Sequence, residues 1–208
     1  TVKSYRLHIH HHDQQYFTTF MVIKKFGGSA VATPQRIQSI VRLVQADEPK
    51  QTAYVFSAFG GVTDQLIQTS AWAWAGKHEY KTVLTALETR HIEAVRELLP
   101  VTQQSPVLAQ VKVLLNELED VLHGVFLVRE RTLRTLDYVM SFGERLSAYI
   151  VAEAMKSAGL KAQFLDAREV IRTDDHFGHA QVDFATTQAQ IQARFSQGDF
   201  ARVITGFI

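Results

Sequence analysis

The chain has 208 residues, 46% hydrophobic and 21% charged, which is enough apolar content at this length for one domain with a substantial core. Lysine plus arginine at 22 against aspartate plus glutamate at 21 leaves a formal charge of +1, so no overall field favours nucleic acid or an anionic membrane, and neither is expected as a partner. The absence of cysteine excludes disulfides and thiolate metal sites and fits a reducing cytosol, and no run of about 18 apolar residues reads as a transmembrane helix.

Residues 1–20 differ from the rest. Four of the nine histidines, His8, His10, His11 and His12, crowd into this stretch, and Met21 stands directly before the first convincing strand. The segment is therefore expected to be a disordered leader or tag-like stretch, with the domain running over 21–208. Its histidines would collect a metal only adventitiously, for want of partners to orient the rings, and no metal site is expected.

From Met21 onward the hydrophobic pattern switches between periods of two and 3.6, the mark of strands alternating with helices in an α/β fold. The first strand is read over 21–26. It runs into Gly27-Gly28-Ser29 and then into a helix with Thr33 as N-cap, Pro34 at the first position, and Ile37, Ile40, Val41 and Val44 on one face. A strand that delivers paired glycines to a helix N-terminus can cradle a phosphate, since exposed N–H groups and the helix dipole both favour an anion, and Lys25 adds a full charge. An ordinary strand-turn-helix connection fits the same residues. The second strand, 52–56, repeats the arrangement in Ser57-Ala58-Phe59-Gly60-Gly61-Val62-Thr63-Asp64, ahead of a helix carrying Leu66, Ile67, Trp72 and Trp74. If the two strands are parallel neighbours, both turns meet at one sheet edge.

The middle of the chain reads as helical. Leu84, Leu87, His91, Val95 and Leu98 share a face up to Pro100, and after Pro106 a second stripe runs through Val111, Leu115, Leu118, Leu122 and Val125. His91 and His123 are read as structural or surface histidines. A third helix spans 132–157, closed by Gly159. A strand at 162–166, a short helix at 186–195 and a final strand at 202–207 follow. Ser141 and Glu144 fit a capping box, and equally fit a carboxylate projecting into a cleft to meet an ammonium group. Thr63 poses the same choice between helix cap and ligand contact.

Five segments, Lys25-Phe26-Gly27-Gly28-Ser29, Ser57 to Asp64, Ser141-Phe142-Gly143-Glu144-Arg145-Leu146-Ser147, Arg172-Thr173-Asp174-Asp175-His176-Phe177-Gly178, and Val203 to Ile208, occur in the order seen in aspartate kinases. From Met21 to its last residue the chain resembles the N-terminal part of that family's catalytic domain, and Glu117 to Phe126 is similar to the kinase portion of fused aspartokinase/homoserine dehydrogenases. The resemblance implies an amino acid kinase fold, a mainly parallel sheet sandwiched between helices in three α/β/α layers, truncated here. It implies ATP-dependent phosphorylation of the L-aspartate side-chain carboxylate to 4-phospho-L-aspartate, at the entry to lysine, threonine and methionine synthesis. ATP with Mg2+ would be the co-substrate, in the cytoplasm, in a full-length protein that is a homo-oligomer. Lys25 would match the catalytic lysine that neutralises the nucleotide phosphates, with Gly27, Gly28 and Ser29 bringing backbone donors to them. Thr63 would match a threonine contacting aspartate, and Glu144 the acidic residue that reads its amino group. The run Arg172 to Gly178 carries no assigned role.

In that family the next segment supplies the adenine-binding elements and then the regulatory ACT domains. The chain as given is therefore expected to have little or no kinase activity, with its last strand left at a truncated edge. Two alternatives stay open: a related amino acid kinase acting on another carboxylate, carbamate or nucleotide, and a noncatalytic binding module that keeps the fold.

Overall fold

The computed structural model describes residues 2–8, 20–46, 52–198 and 200–207, with the backbone alone for 2–8, 20 and 21. Its strands are β1 (Val2–His8), β2 (Phe20–Phe26), β3 (Thr52–Phe56), β4 (Ala162–Leu165) and β5 (Ala201–Thr205), joined in one five-stranded sheet of order β1-β2-β3-β5-β4. β2, β3, β5 and β4 are parallel, and β1 pairs antiparallel with β2, Val2 opposite Phe26 and His8 opposite Phe20. Residues 2–8 thus differ from the expected leader outside the fold: they extend along β2 and satisfy the row of N–H and C=O groups that its edge would otherwise present. His10, His11 and His12 lie outside the described residues.

The final strand corrects a second expectation. It is not an unpaired edge but sits between β3 and β4, with Ala201, Arg202, Val203 and Thr205 all buried.

Alternation along the strands sets the two faces of the sheet. Tyr54, Phe56 and Val203 point into the main core, Phe26 stacks on Phe56 with ring centroids 5.0 Å apart, and Tyr149 of α5 (Leu133–Ser157) meets Phe164 edge-on. On the opposite face Arg202, 2% exposed, reaches α6 (Phe184–Phe195): it donates to the carbonyls of Arg194 and Gln197 and lies over the rings of Phe195 and Phe200. Helices on both faces give the expected α/β architecture.

The remaining helices are α1 (Pro34–Ala46), α2 (Val62–Trp74), α3 (Glu79–Leu98) and α4 (Val101–Val128). In α1, Thr33 Oγ1 accepts from the Arg36 N–H at 3.4 Å, and Ile37, Ile40, Val41 and Val44 are buried as the pattern requires. α4 begins at Val101, ahead of Pro106, because a proline in the second turn forfeits a single hydrogen bond while Val107, Val111, Leu114 and the rest of the stripe stay buried. Gly159, at φ 86°, ends α5, with the Leu160 N–H returning to Met155 O at 3.0 Å.

Candidate functional site

Because β2 and β3 are parallel neighbours, their exits lie side by side at one edge of the sheet. The Ser57 N–H donates to Phe26 O at 3.0 Å, the Ala30 N–H closes the first turn onto Gly27 O at 2.8 Å, and the Val62 N–H closes the second onto Phe59 O at 2.9 Å. The turns touch through their glycines. A Cβ on Gly28 would stand 3.1 Å from Ala58 O, and one on Gly60 would stand 3.1 Å from the Ala32 Cβ and 3.3 Å from Gly28 O, so a side chain at either position requires the facing turn to yield by a few tenths of an ångström.

Both turns hang on one arginine. Arg90 of α3 donates from Nη1 to Gly60 O at 2.8 Å and from Nη2 to Ala32 O at 3.0 Å, and its guanidinium lies over the Phe59 ring. Burial lowers its pKa from the ordinary arginine value without threatening its charge. His91 stacks on Phe59 with centroids 5.0 Å apart. It is fully buried, its Nδ1–H donates to Leu87 O at 2.6 Å, and its Nε2 has no partner. Burial drives its pKa down to about 4, assisted by the neighbouring Arg90 charge, so the ring is neutral at pH 7.

Glu144 is carried to this corner by α5. The helix passes close beneath the second turn because residue 143 is glycine: a Cβ there would be 2.9 Å from the Ala58 Cβ and 3.2 Å from Leu66 Cδ1. One turn further on, Ser147 Oγ donates to Ser57 O at 2.8 Å. The Glu144 carboxylate accepts from the backbone N–H of Phe207, with the N–H groups of Gly206 and Ala58 and the charge of Lys25 also favouring its ionised form. Burial outweighs them and leaves its pKa raised above the ordinary glutamate value. A Cβ on Gly206 would lie 3.1 Å from Val55 Cγ1 and 3.2 Å from Glu144 Oε2, so the exit of β5 also needs its glycine here.

Arg145, the next residue, turns away from the corner. Its Nη2 lies 2.9 Å from Glu117 Oε2 and its Nε 3.6 Å from Asp166 Oδ2, with the Phe142 ring against the guanidinium. Tyr138 also donates to Glu117. Burial pushes the Glu117 and Asp166 carboxyls up, but their hydrogen bonds, from Tyr138 and Arg145 to Glu117 and from Arg168 to Asp166, together with the nearby arginine charges, hold both below the ordinary carboxylate range.

Among the residues singled out from sequence, Lys25 is exposed at the end of β2, Gly27 and Gly28 are half-buried in the first turn, and Glu144 is half-buried on α5. Ser29 is exposed, its carbonyl accepting from Arg36. Thr63 is exposed in the first turn of α2, where Gly61 at φ 81° occupies the N-cap without a side-chain cap, so Thr63 is not the cap. Nor do Ser141 and Glu144 form a capping box. α5 begins earlier, at Leu133, behind an N-cap at Thr132 whose Oγ1 accepts from the Thr135 N–H at 3.1 Å, and Ser141 lies inside the helix with its hydroxyl on Tyr138 O at 2.7 Å. The residues that sequence reasoning missed are Arg90, Ser147 and the Gly206–Phe207 amides. Ser147 and Gly206 fall inside the recognised segments, whereas nothing local marks Arg90.

The described residues hold no helix long and apolar enough to cross a membrane. Aspartokinase 1 (chloroplastic) of Arabidopsis thaliana is 32% identical over 194 residues, which cover 89% of this chain and 33% of the relative. The bifunctional aspartokinase/homoserine dehydrogenase 2 (chloroplastic) of Zea mays is 27% identical over 188 residues, 89% of this chain and 20% of the relative, so the chain spans a third or less of these proteins. The crystal structure of E. coli aspartokinase III in complex with aspartate and ADP shares the fold at TM-score 0.76 and 23% identity, over 88% of this chain and 40% of that one. Residues 20–208 match the profile described as the amino acid kinase family, and with its paired glycine turns at the exits of parallel strands the chain belongs to that family.

Proposed function

We propose that the chain is the N-terminal part of the catalytic domain of an aspartate kinase, which transfers the γ-phosphoryl group of ATP to the side-chain carboxylate of L-aspartate. The observation that carries this reading is the position of Glu144, a half-buried carboxylate on α5 that meets the Ala58 amide of the second glycine turn and the Gly206–Phe207 exit of β5, and that feels the charge of Lys25 at the end of β2. Lys25 and the Gly27, Gly28 and Ser29 backbone take the nucleotide phosphates, and Thr63 and Glu144 take the amino acid. The aspartate complex of E. coli aspartokinase III and the names of the curated relatives favour aspartate over other acceptors.

A carboxylate with a pKa near 4 is already ionised at neutral pH, so the acceptor needs no general base. Its oxygen attacks the γ-phosphorus as the bond to the ADP oxygen breaks, giving the acyl phosphate and ADP with no proton to place. The work left to the protein is to align the two oxygens and to neutralise charge on the phosphoryl group, which suits a lysine and turns tight enough to present backbone N–H groups. Mg2+ would enter with the nucleotide and add charge neutralisation on its phosphates. In this reading the protein acts in the cytoplasm, at the head of lysine, threonine and methionine synthesis, as a homo-oligomer at full length.

The test is aspartate-dependent acyl phosphate, trapped with hydroxylamine, in the protein extended through its downstream coding sequence. Glu144→Ala is expected to raise the KM for aspartate at least tenfold, and Lys25→Ala to lower kcat with little change in that KM. Equal behaviour of the two variants overturns the roles. Turnover with a different acceptor and none with aspartate moves the reading to a related kinase of the family.

A further inference from the structure

The run Arg172 to Gly178 has no part in the reading above, and the structure folds it over the first turns of α5. The Gly178 N–H donates to Asp137 Oδ2 at 2.8 Å, Arg134 lies over the Phe177 ring at 5.5 Å, and Thr173 forms an isolated antiparallel bridge with Val182. Between loop and helix is a cavity of about 520 Å³, within the range of small-molecule sites. Val121, Ile171 and Phe177 give it an apolar wall, and Arg134 and Arg172 stand on its lining. Lys25, Thr63 and Glu144 do not line it.

Three guanidinium groups, Arg134, Arg168 and Arg172, and two carboxylates, Asp137 and Asp174, stand on the lining of this cavity. Arg168, also on the lining, is taken by Asp166 through Nε at 3.0 Å and Nη2 at 2.7 Å. Asp137 accepts from Gly178, and Asp174 accepts from the N–H groups of Gln181 at 3.0 Å and His176 at 3.2 Å. Arg134 and Arg172 pair with no carboxylate among the described residues. Both are nonetheless held: Arg134 by Phe177, and Arg172 through Nε by the Gln190 side-chain oxygen at 3.3 Å, in the amide orientation that also lets Gln190 donate to Val170 O. Two steadied guanidinium groups beside an aliphatic and aromatic wall are complementary to a molecule with an anionic head and an apolar body.

We propose that this cavity is a second ligand site, which takes a small organic acid with its carboxylate on Arg134 and Arg172 and its apolar body against Val121, Ile171 and Phe177. The site is separate from the Lys25–Glu144 corner and its occupancy does not depend on phosphoryl transfer.

The probe is 3-phenylpropionate, titrated calorimetrically into the full 208-residue chain, with acetate as the head alone and 3-phenylpropanol as the body alone. The expected result is saturable binding of 3-phenylpropionate at one site, with either fragment at least about tenfold weaker. Arg134→Gln and Arg172→Gln each weaken it by about tenfold, Phe177→Ala does so as well, and Glu144→Gln leaves it unchanged. Amide shifts confined to residues around Val121 and Phe177 locate the ligand without any substitution, which keeps the test valid if a variant misfolds. Absence of saturable binding, acetate binding as tightly as 3-phenylpropionate (an adventitious ion only), or loss of binding in Glu144→Gln overturns the proposal. The last outcome assigns the ligand to the corner and leaves the kinase reading intact, while a kinase reading that fails for lack of turnover leaves this binding untouched.

Discussion

The corner formed by the exits of β2 and β3 and the cavity under the Arg172–Gly178 loop lie one helical turn apart along α5, where Ser141 lines the cavity and Glu144 faces the corner. They are built in opposite ways. At the corner side chains have been removed: Gly28, Gly60, Gly143 and Gly206 each sit where a Cβ would come within 3.1 Å or less of another atom, and backbone groups do the positioning. At the cavity side chains do the work, from α4, α5 and a largely exposed loop that is tied to α5 by the Gly178–Asp137 hydrogen bond and the Arg134–Phe177 contact. The corner gains its fixed geometry from backbones brought into contact, and the cavity its open space from side chains set around a gap.

Four measurements break or sharpen this contrast. The largest effect is expected from the buried histidine that supports the corner. His91 titrates near 6.5 when unfolded and at about 4 when folded. A folded pKa depressed in this way gives stability that is fully present above pH 6.5 and is lost as pH falls towards 4, amounting to about 3 kcal/mol. Urea melts from pH 7.5 to 4 follow it, and His91→Gln flattens the profile across that window. Next comes Gly143→Val, which drives a side chain into Ala58 and Leu66 and is expected to cost about 1–3 kcal/mol by urea denaturation. A silent substitution there would mean that the approach of α5 to the turn is not tight. Arg90→Met keeps the stem but strips two carbonyls of a charged donor, at about 1.5 kcal/mol, and exchange of the turn amides of 58–62 should accelerate with it. The smallest is Asp137→Ala, which frees the Arg172–Gly178 loop for less than about 1 kcal/mol and changes proteolysis of that loop alone. If it costs as much as Gly143→Val, the two regions are not built differently after all.

What was legible in the sequence follows the same division. The glycine pairs, the Pro34 helix start, the buried stripe of α1 and the location of Glu144 are local signals, since each depends on neighbours within a turn or two. The false cap at Thr63 and the false capping box at Ser141 show the limit of such signals. Ser-x-x-Glu describes residue types at a spacing, and the helix read over 132–157, which starts at Leu133 behind the Thr132 cap, already places that spacing inside a helix. Arg90 could not be found that way, because the carbonyls it holds are 30 and 58 positions distant. Nor could the placement of β5 between β3 and β4, since strand order depends on crossovers rather than on any strand's own residues. The pairing of residues 2–8 with β2 is likewise set by a partner strand and not by any pattern within 2–8.

The contact between the two turns has a consequence for how such a sequence can drift. With Gly28 against Ala58 and Gly60 against Ala32, neither turn can enlarge without its neighbour giving way. Changes at these four positions are therefore expected to be coupled: the combined effect of Gly28→Ala and Gly60→Ala departs from the sum of the two because both act on the same pair of backbones. The two turns, some thirty residues apart in the chain, thus behave as one mechanical unit, in which a change of shape in either is transmitted to the other.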